Sequence, residues 1–332
     1  MQFDNSFWVV RQYLQNVIEE LSYPTPSCDV NFTLNNFSQV FTPMHLYRYR
    51  ECGREHSFSD IESSQITLTA ASEFPDIHDA AIHDTGEMER MADRIVSQTS
   101  ETRAAMLEIM KNAGVHPESE TAKRFNVFTD EFFDLPSNTQ REQLDKMTRQ
   151  IKEAINPQQY SNSLREQLQI ACLCGNPNSS YMWENYGGNG SGYVIEYKVS
   201  QLFDIDLDNN QRPLILPVIY ASQLPDTFLL PVSQIIEPTA GSVMREDIFE
   251  GMKTINLIKC VFYKQIDPFV KEEEWRLQLT PQNSEKGDQH IFRNICPSRL
   301  IAGTYMTELD RKRLQNCGKA NSIQVDEVKK KE

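Results

Sequence analysis

The sequence predicts an α+β protein, and three observations support this class. Short segments with alternating apolar side chains recur along the chain, as expected for strands. Stretches with helical spacing are concentrated in residues 76–165 instead of alternating with the strands. Several strand segments are half polar, whereas strands of a doubly wound parallel sheet form nearly continuous apolar runs. We therefore expect mixed strands with segregated helices.

The N-terminal half of the chain predicts helices and two short strands. An amphipathic helix is expected at residues 7–21, ended by Pro24, because apolar residues recur at helical spacing: Phe7, Val10, Leu14, Val17, Ile18 and Leu21. "HLYRYR" (45–50) and "SQITLTA" (64–70) are typical of strands. Helical periodicity then runs from residue 87 to Gly114, and Thr139 with Glu142 predicts a capping box that opens a helix ending at Asn156 and Pro157.

The C-terminal half predicts most of the sheet. Strands are expected at "QIACLC", "GYVIEYKV", "PLILPVIY", "EWRLQL" and "RLIAGTYM". One long helix is expected between about residues 243 and 264. The last segment, "VDEVKKKE", is typical of an exposed tail.

Composition limits the classes of function. The net charge of −14 over 332 residues argues against a nucleic-acid partner, which would require clustered Lys and Arg. The longest apolar runs are too short for a membrane span, and the N-terminus lacks the basic region of a signal peptide. Seven scattered cysteines and six dispersed histidines predict reduced thiols, a cytoplasmic location and no metal site. The glycines of "YGGNGSGY" have the wrong spacing for a Rossmann motif, and the sequence contains no GxxxxGK[ST] P-loop motif.

The segment "KEEEWRL" brings two carboxylates together. As a strand, it places Glu272, Glu274 and Arg276 on one face, and Trp275 on the other with the core. Two carboxylates about 7 Å apart repel each other by about 2 kcal/mol at an effective dielectric constant near 20. This repulsion is acceptable at a solvated strand end, or in a cleft where the two acids have different tasks.

Two other segments have a structural and a functional interpretation. The arginines of "HLYRYR" are either solvent-facing residues of an edge strand or donors to a phosphate or ribose oxygen. "SSYMWENYGG" predicts either a packed aromatic corner before a hairpin or a wall for a flat heterocycle. That wall would consist of Tyr181, Trp183 and Tyr186, with the hydroxyls of Ser179 and Ser180 nearby.

The order of these segments resembles a bacterial protein family. "LYRYR", "MWENYG" followed by "GYVIEY", and "EEEWR" match its LYxYR, MWxxYG and ExEWR elements. "FPDIHDA" (74–80) stands in the place of its FNDPFD element but departs from that pattern. That family is similar to a divergent branch of the ADP-ribosyltransferase superfamily, with its Arg, Ser/Tyr and Glu motifs. The resemblance covers about residues 44–80 and 170–306. The chain departs from it at Cys174, which stands where the family has a serine.

The resemblance implies a split two-sheet core with an inserted helical lobe. The expected divisions are an N-terminal helical extension, a first part of the core, the lobe, the main part of the core and a C-terminal tail: 1–40, 41–75, 76–165, 166–310 and 311–332. The implied activity is NAD-dependent mono-ADP-ribosylation of a protein, with arginine as the expected acceptor and nicotinamide as the product. A soluble bacterial toxin, or an effector secreted into a host cell, would fit this activity.

The resemblance also implies residue roles. Glu274 would stabilise an oxocarbenium-like ribose, Glu272 would deprotonate the acceptor, and Arg48 would hold the diphosphate or ribose. The expected NAD-binding residues are Tyr47, Ser179, Ser180, Tyr181, Met182, Trp183 and Tyr186, with Ser180 replacing the missing serine. We expect Arg48, Trp183 and Glu274 to line one cleft. Two alternatives remain: an inactive nucleotide- or protein-binding module on the same scaffold, and a glycosidase that uses the same two acids.

Overall fold

A computed structural model describes residues 7–22, 29–53, 57–98, 100–104, 116, 118–204, 213–232, 246–279 and 291–328. The helices are α1 (Phe7–Leu21), α2 (Val30–Phe41), α3 (Ser59–Glu62), α4 (Glu87–Ser97), α5 (Glu120–Phe133), α6 (Ser137–Ala154), α7 (Pro157–Gln167), α8 (Ser180–Asn185), α9 (Val199–Phe203), α10 (Glu246–Phe262) and α11 (Glu308–Ala320). The strands are β1 (His45–Arg50), β2 (Gln65–Thr67), β3 (Thr69–Ala70), β4 (Gln169–Cys174), β5 (Tyr193–Lys198), β6 (Leu214–Pro217), β7 (Ile219–Ala221), β8 (Tyr263–Gln265), β9 (Glu274–Leu279), β10 (Ile291–Arg293), β11 (Arg299–Ala302) and β12 (Gln324–Glu327).

The α+β class is confirmed. The main sheet has the strand order β12-β11-β5-β1-β4-β9-β6, and β3 also pairs with β4. Its pairs are antiparallel except β11 with β12. Two further sheets of two strands each join β10 to β2 and β7 to β8. The segment "PLILPVIY" therefore contributes to two sheets, because the chain leaves the main sheet at Val218.

Helices α1 and α2 belong to the same hydrophobic core as the main sheet. Val10, Leu14 and Ile18 are buried along one face of α1, which confirms the helical periodicity seen in the sequence. Leu34 of α2 lies in the same buried cluster as Leu216 of β6. Since both helices bury their apolar faces against the sheet, α1 and α2 form part of the core layer rather than an extension from it.

The predicted helical lobe is present but ends earlier than expected. Within the described part of residues 84–156 the chain forms helices and no strand, and α4, α5 and α6 share a small cluster around Phe132 and Leu144. Helix α6 begins at Ser137, so Thr139 and Glu142 do not open it. The predicted stop at Gly114 lies outside the described residues. Helix α7 packs on the main core through Leu164, which moves the boundary of the lobe from residue 165 to about 155.

Two further segments differ from the sequence prediction. "SYMWEN" forms helix α8, where no helix was predicted from the sequence, and Gly192 then lets the chain pass close to β1. A Cβ on Gly192 would lie 2.0 Å from the carbonyl oxygen of Arg50. The prediction of a C-terminal tail from residue 311 is wrong for the described residues. Helix α11 packs against β11, and β12 extends the main sheet.

The register of the main sheet assigns side chains to its two faces. Tyr47 pairs with Cys174, and Cys174 pairs with Glu274, so all three project from the same face of neighbouring strands. Arg48 follows Tyr47, pairs with Ile195 and projects from the opposite face. The prediction that Arg48 lines one cleft with Glu274 is therefore wrong.

Candidate functional site

Five charged side chains meet beside the first residue of β9, and each is at most 7% exposed. Glu274 and Arg276 project from the same face of β9. Lys264 comes from β8, and Glu272 ends the 3-10 turn Phe269–Glu272 that leads from β8 to β9. Asp79 comes from the loop after the 3-10 turn Ala71–Glu73. Charges taken out of water must be paired to be tolerated, and these five groups supply the pairing for one another.

Lys264 lies at the centre of the cluster. Its Nζ is 2.7 Å from Glu272 Oε2, 3.2 Å from Glu274 Oε2 and 3.5 Å from Asp79 Oδ2. The same ammonium lies over the ring of Phe269, 4.3 Å from its centroid. One cation therefore contacts all three carboxylates.

Arg276 joins two of the carboxylates from the interior side. Its Nε donates to Glu274 Oε1 over 2.7 Å and its Nη2 donates to Asp79 Oδ2 over 2.7 Å. A third bond from this guanidinium goes to the carbonyl oxygen of Val261. Glu274 is thus held by two cations, Arg276 and Lys264, and its backbone N–H donates to the hydroxyl of Tyr220 over 3.0 Å.

The two glutamates converge by a route that differs from the sequence prediction. Glu272 lies in the 3-10 turn, and Glu273 has a left-handed backbone with φ 46° and ψ 48°. Strand β9 begins only at Glu274. The continuous strand expected from Glu272 is therefore wrong, although both carboxylates reach the same ammonium group.

The pKa values of the two glutamates shift in opposite directions. Burial and the nearby charge of Glu274 raise the pKa of Glu272, and Lys264 and Tyr186 offset only part of this increase. Burial also opposes ionisation of Glu274, but Arg276 and Lys264 outweigh it and hold the pKa of Glu274 well below its usual range. Three carboxylates face two cations, so the fully ionised cluster has a net charge of −1. A proton taken up by Glu272 would remove this excess.

Tyr186 connects the buried cluster to the protein surface. It is 41% exposed, and its hydroxyl donates to Glu272 Oε1 over 2.5 Å. Tyr181, from the same helical segment, is half-exposed. Burial and Glu272 raise the pKa of Tyr186, so its hydroxyl remains a donor at neutral pH. Of the predicted aromatic wall, Tyr186 is the residue that contacts the acids.

Trp183 and Ser179 have structural roles. Trp183 is buried against Tyr49 with a ring-centroid distance of 5.3 Å, and its Nε1 donates to the carbonyl oxygen of Pro177. Ser179 is the N-cap of α8, with its Oγ accepting from the N–H of Met182. Ser180 follows and is exposed. This helix start satisfies its own backbone donors, and Trp183 packs inward instead of forming an open wall.

Arg48 is buried in a separate ion pair. Its Nη1 donates to the carbonyl oxygen of Thr67 over 2.6 Å and to Asp60 Oδ2 over 3.3 Å. Asp60 also accepts from Arg50 over 3.0 Å. The sequence left open whether Arg48 faces solvent or a ligand, but the structure shows a buried structural arginine. Tyr47, on the other face of β1, is half-exposed and hydrogen-bonds to Glu196.

Cys174, at the position where the resemblance predicted a serine, faces the same side as Glu274. It is fully buried, its Sγ contacts the backbone of Asn176, and burial raises the pKa of its thiol to about 12. Cys172, two residues earlier, hydrogen-bonds to Glu274. Neither cysteine is ionised at neutral pH.

The sequence analysis missed Asp79 and Lys264 as site residues. Asp79 is the last aspartate of "FPDIHDA", so the element itself was the available signal. Arg165 holds this loop by donating to the carbonyl oxygens of Ala71, Asp76 and Ile77 over 2.6–3.0 Å. Lys264 lies in "VFYKQ", which has no motif, and only the pairing of β7 with β8 brings it to the acids.

The described residues hold no candidate for a metal-binding group or for a membrane-spanning helix. Within the residues that the structure describes, no group of three His, Cys, Asp or Glu side chains has an arrangement that could hold a metal ion. None of the helices in the described part of the chain combines the length and apolar character needed to cross a bilayer.

Comparison with known proteins gives one family match. Residues 182–277 match the model of a family described as a protein of unknown function, DUF2971. This segment includes Tyr186, Lys264, Glu272, Glu274 and Arg276, whereas β1 and the loop of Asp79 lie outside it. A search of curated proteins and a search of solved structures each gave no match.

Proposed function

We propose that this protein is an NAD-dependent mono-ADP-ribosyltransferase that modifies an arginine side chain of an acceptor protein and releases nicotinamide. The proposal includes an ADP-ribosyltransferase-like core, in which β1, β4 and β9 are neighbouring strands. The main support comes from Glu272 and Glu274, which share one ammonium group but have pKa values displaced in opposite directions. Environments that separate the pKa values of two neighbouring acids are typical of sites in which the acids have different tasks.

Glu274 would act on the ribose. In the reaction, the bond between ribose C1′ and the nicotinamide nitrogen breaks, and nicotinamide leaves as a neutral molecule with the bonding electrons. The ribose becomes oxocarbenium-like, and a carboxylate that stays ionised stabilises this positive charge. Glu274 suits this role because Arg276 and Lys264 keep it ionised.

Glu272 would act on the acceptor. A guanidinium nitrogen attacks C1′ after losing one proton, and a base is needed to take that proton. A base is most effective when its pKa lies near the working pH, and the pKa of Glu272 is raised towards that range. The proton would then leave to solvent past Tyr186, which is partly exposed and bonded to Glu272.

Arg48 has no part in this proposal. It lies on the opposite face of the sheet and is bonded to Asp60 and Thr67, so another group would have to hold the diphosphate of NAD. Of the residues of "HLYRYR" that project from the Glu274 face, Tyr47 is the one that pairs with Cys174, next to Glu274. We propose that Tyr47, Tyr181 and Tyr186 border the NAD site.

The test compares two isosteric variants in two assays. Glu274→Gln should abolish nicotinamide release, because the oxocarbenium loses its stabilising charge, an effect typically worth a few kcal/mol or more. Glu272→Gln should suppress transfer to protein while some hydrolysis of NAD remains, since water can still attack C1′. Nicotinamide release and labelling of lysate proteins from labelled NAD are measured. Full nicotinamide release by Glu274→Gln would refute the proposal, and equal loss of both activities in both variants would refute the division of tasks.

The buried ion pair of Arg48 and the cysteine at position 174 favour a second candidate, an inactive nucleotide- or protein-binding module on the same scaffold. In that case, the ion-pair cluster would only stabilise the fold. The two candidates differ in their response to NAD. An increase in melting temperature with NAD, without nicotinamide release, would support the inactive module, whereas release would support the transferase.

A further inference from the structure

The two glutamates depend on Lys264 to different degrees. Glu274 has a second cation, because Arg276 Nε and Nη2 lie 2.7 Å and 3.3 Å from its two carboxylate oxygens. Among the described side chains, Glu272 is paired with a single cation, Lys264, whose Nζ lies 2.7 Å from Glu272 Oε2. Its other side-chain partner, the hydroxyl of Tyr186, is a neutral donor. Removal of Lys264 would therefore leave Glu274 paired and Glu272 without a charged partner among its contacts in the described residues.

The surroundings of Lys264 and Glu272 reinforce this asymmetry. Titratable and charged groups reach them from the loop after Ala71–Glu73, from β4, α8 and its end, β7 and β9: Asp79, Cys174, Tyr181, Tyr186, Tyr220, Glu274 and Arg276. Asp79 and Glu274 are acidic and repel the charge of Glu272. The only cation of this set, Arg276, bonds to Glu274 and Asp79 instead.

We propose that Lys264 is a positioning residue that keeps Glu272 ionised and available as a base, while Arg276 alone is sufficient to keep Glu274 ionised. Lys264 suits this task because it is buried and contacts both carboxylates, so its ammonium has little freedom to turn to solvent. The activity part of this inference rests on the proposed transferase function. The electrostatic part does not, because it concerns the titration of a carboxyl group in the protein itself.

The experiment uses Lys264→Met, which keeps the length of the side chain and removes its charge, in the full chain. The titration of Glu272 is followed by carbon NMR with ¹³C-labelled glutamate, and the signal is assigned by its disappearance in Glu272→Gln. Loss of a cation within 4 Å should shift the midpoint of Glu272 upward by about 1–3 pH units. Lys259→Met is the matched control, because Lys259 lies one helical turn before β8 on α10 and Glu272 and Glu274 are not among its charged neighbours.

The activity readout separates this role from general destabilisation. In Lys264→Met, the acid limb of the pH profile for protein labelling should move upward by the same 1–3 units, whereas that for NAD hydrolysis should stay in place. An unchanged Glu272 midpoint, or an equal displacement of both profiles, would overturn the inference. If Lys264→Met fails to fold, Lys264→Gln is titrated instead, and the same midpoint decides. If the wild type releases no nicotinamide, the proposed function fails, and the titration still decides the role of Lys264.

Discussion

The most direct test of the buried cluster is to neutralise each glutamate and measure stability. Glu272→Gln and Glu274→Gln each remove one negative charge, so a count of charges gives the cluster a net charge of zero in either variant. The contacts predict different outcomes. Glu274 accepts from both Arg276 and Lys264, and breaking a buried, well-paired ion network typically costs roughly 3–5 kcal/mol. We expect Glu274→Gln to lower the free energy of unfolding by this amount at pH 7.

Glu272→Gln should leave stability unchanged or increase it. The folded protein raises the pKa of Glu272 above its unfolded value of 4.5, so its contribution to stability is present below pH 4.5 and is lost as pH rises through the folded pKa. Glutamine cannot ionise and does not suffer this loss. Above the folded pKa, the free energy of unfolding of Glu272→Gln should therefore equal or exceed that of the wild type.

The pH dependence provides the internal check. The contribution of Glu274 is present above pH 4.5 and is lost as pH falls, since its folded pKa is lowered. Urea unfolding at pH 5 and pH 8, followed by circular dichroism, measures both variants against the wild type. Glu273→Gln, at the intervening residue, is the control for loss of charge alone. Equal destabilisation by Glu272→Gln and Glu274→Gln would show that the assigned asymmetry is wrong.

Three further predictions follow from individual contacts. Arg48→Met should lower the free energy of unfolding by about 3 kcal/mol, because Asp60 loses one of its two arginines. The Kd for NAD should stay unchanged. A higher Kd in calorimetry would contradict the placement of Arg48 on the opposite face of the sheet. Tyr186→Phe should raise the pKa of Glu272, because it removes a hydrogen bond that stabilises the ionised carboxylate. An NMR titration midpoint of Glu272 that is lower than in the wild type would refute this. Arg165→Met should lower the free energy of unfolding by roughly 2 kcal/mol, because the buried carbonyl oxygen of Ala71 and the partly buried ones of Asp76 and Ile77 lose their charged donor. A change below about 1 kcal/mol in urea unfolding would show that the loop carrying Asp79 does not need Arg165.

Local periodicity in the sequence was sufficient to predict most elements. Helix α1 and strands β1, β4, β5 and β9 lie where alternation or helical spacing placed them. These patterns are reliable because a side chain that must be buried recurs at the period of its own backbone. No helix was predicted at α8, where the sequence suggested a packed aromatic corner or a wall for a flat heterocycle. The Ser179 cap and the burial of Trp183 decide that this segment is a helix.

The sequence also identified the two acids, and their spacing correctly suggested that they share one location. It could not determine their partners. Lys264 contacts Glu274 from 10 residues away along the chain, and Asp79 contacts Arg276 from 197 residues away. Neither contact has a local signature in the sequence. The face from which Arg48 projects depends on the pairing of Tyr47 with Cys174, which is a long-range register. Residue types and local periods are properties of the chain itself, whereas ion pairs, burial and the pKa values that follow from them exist only after distant segments have packed together.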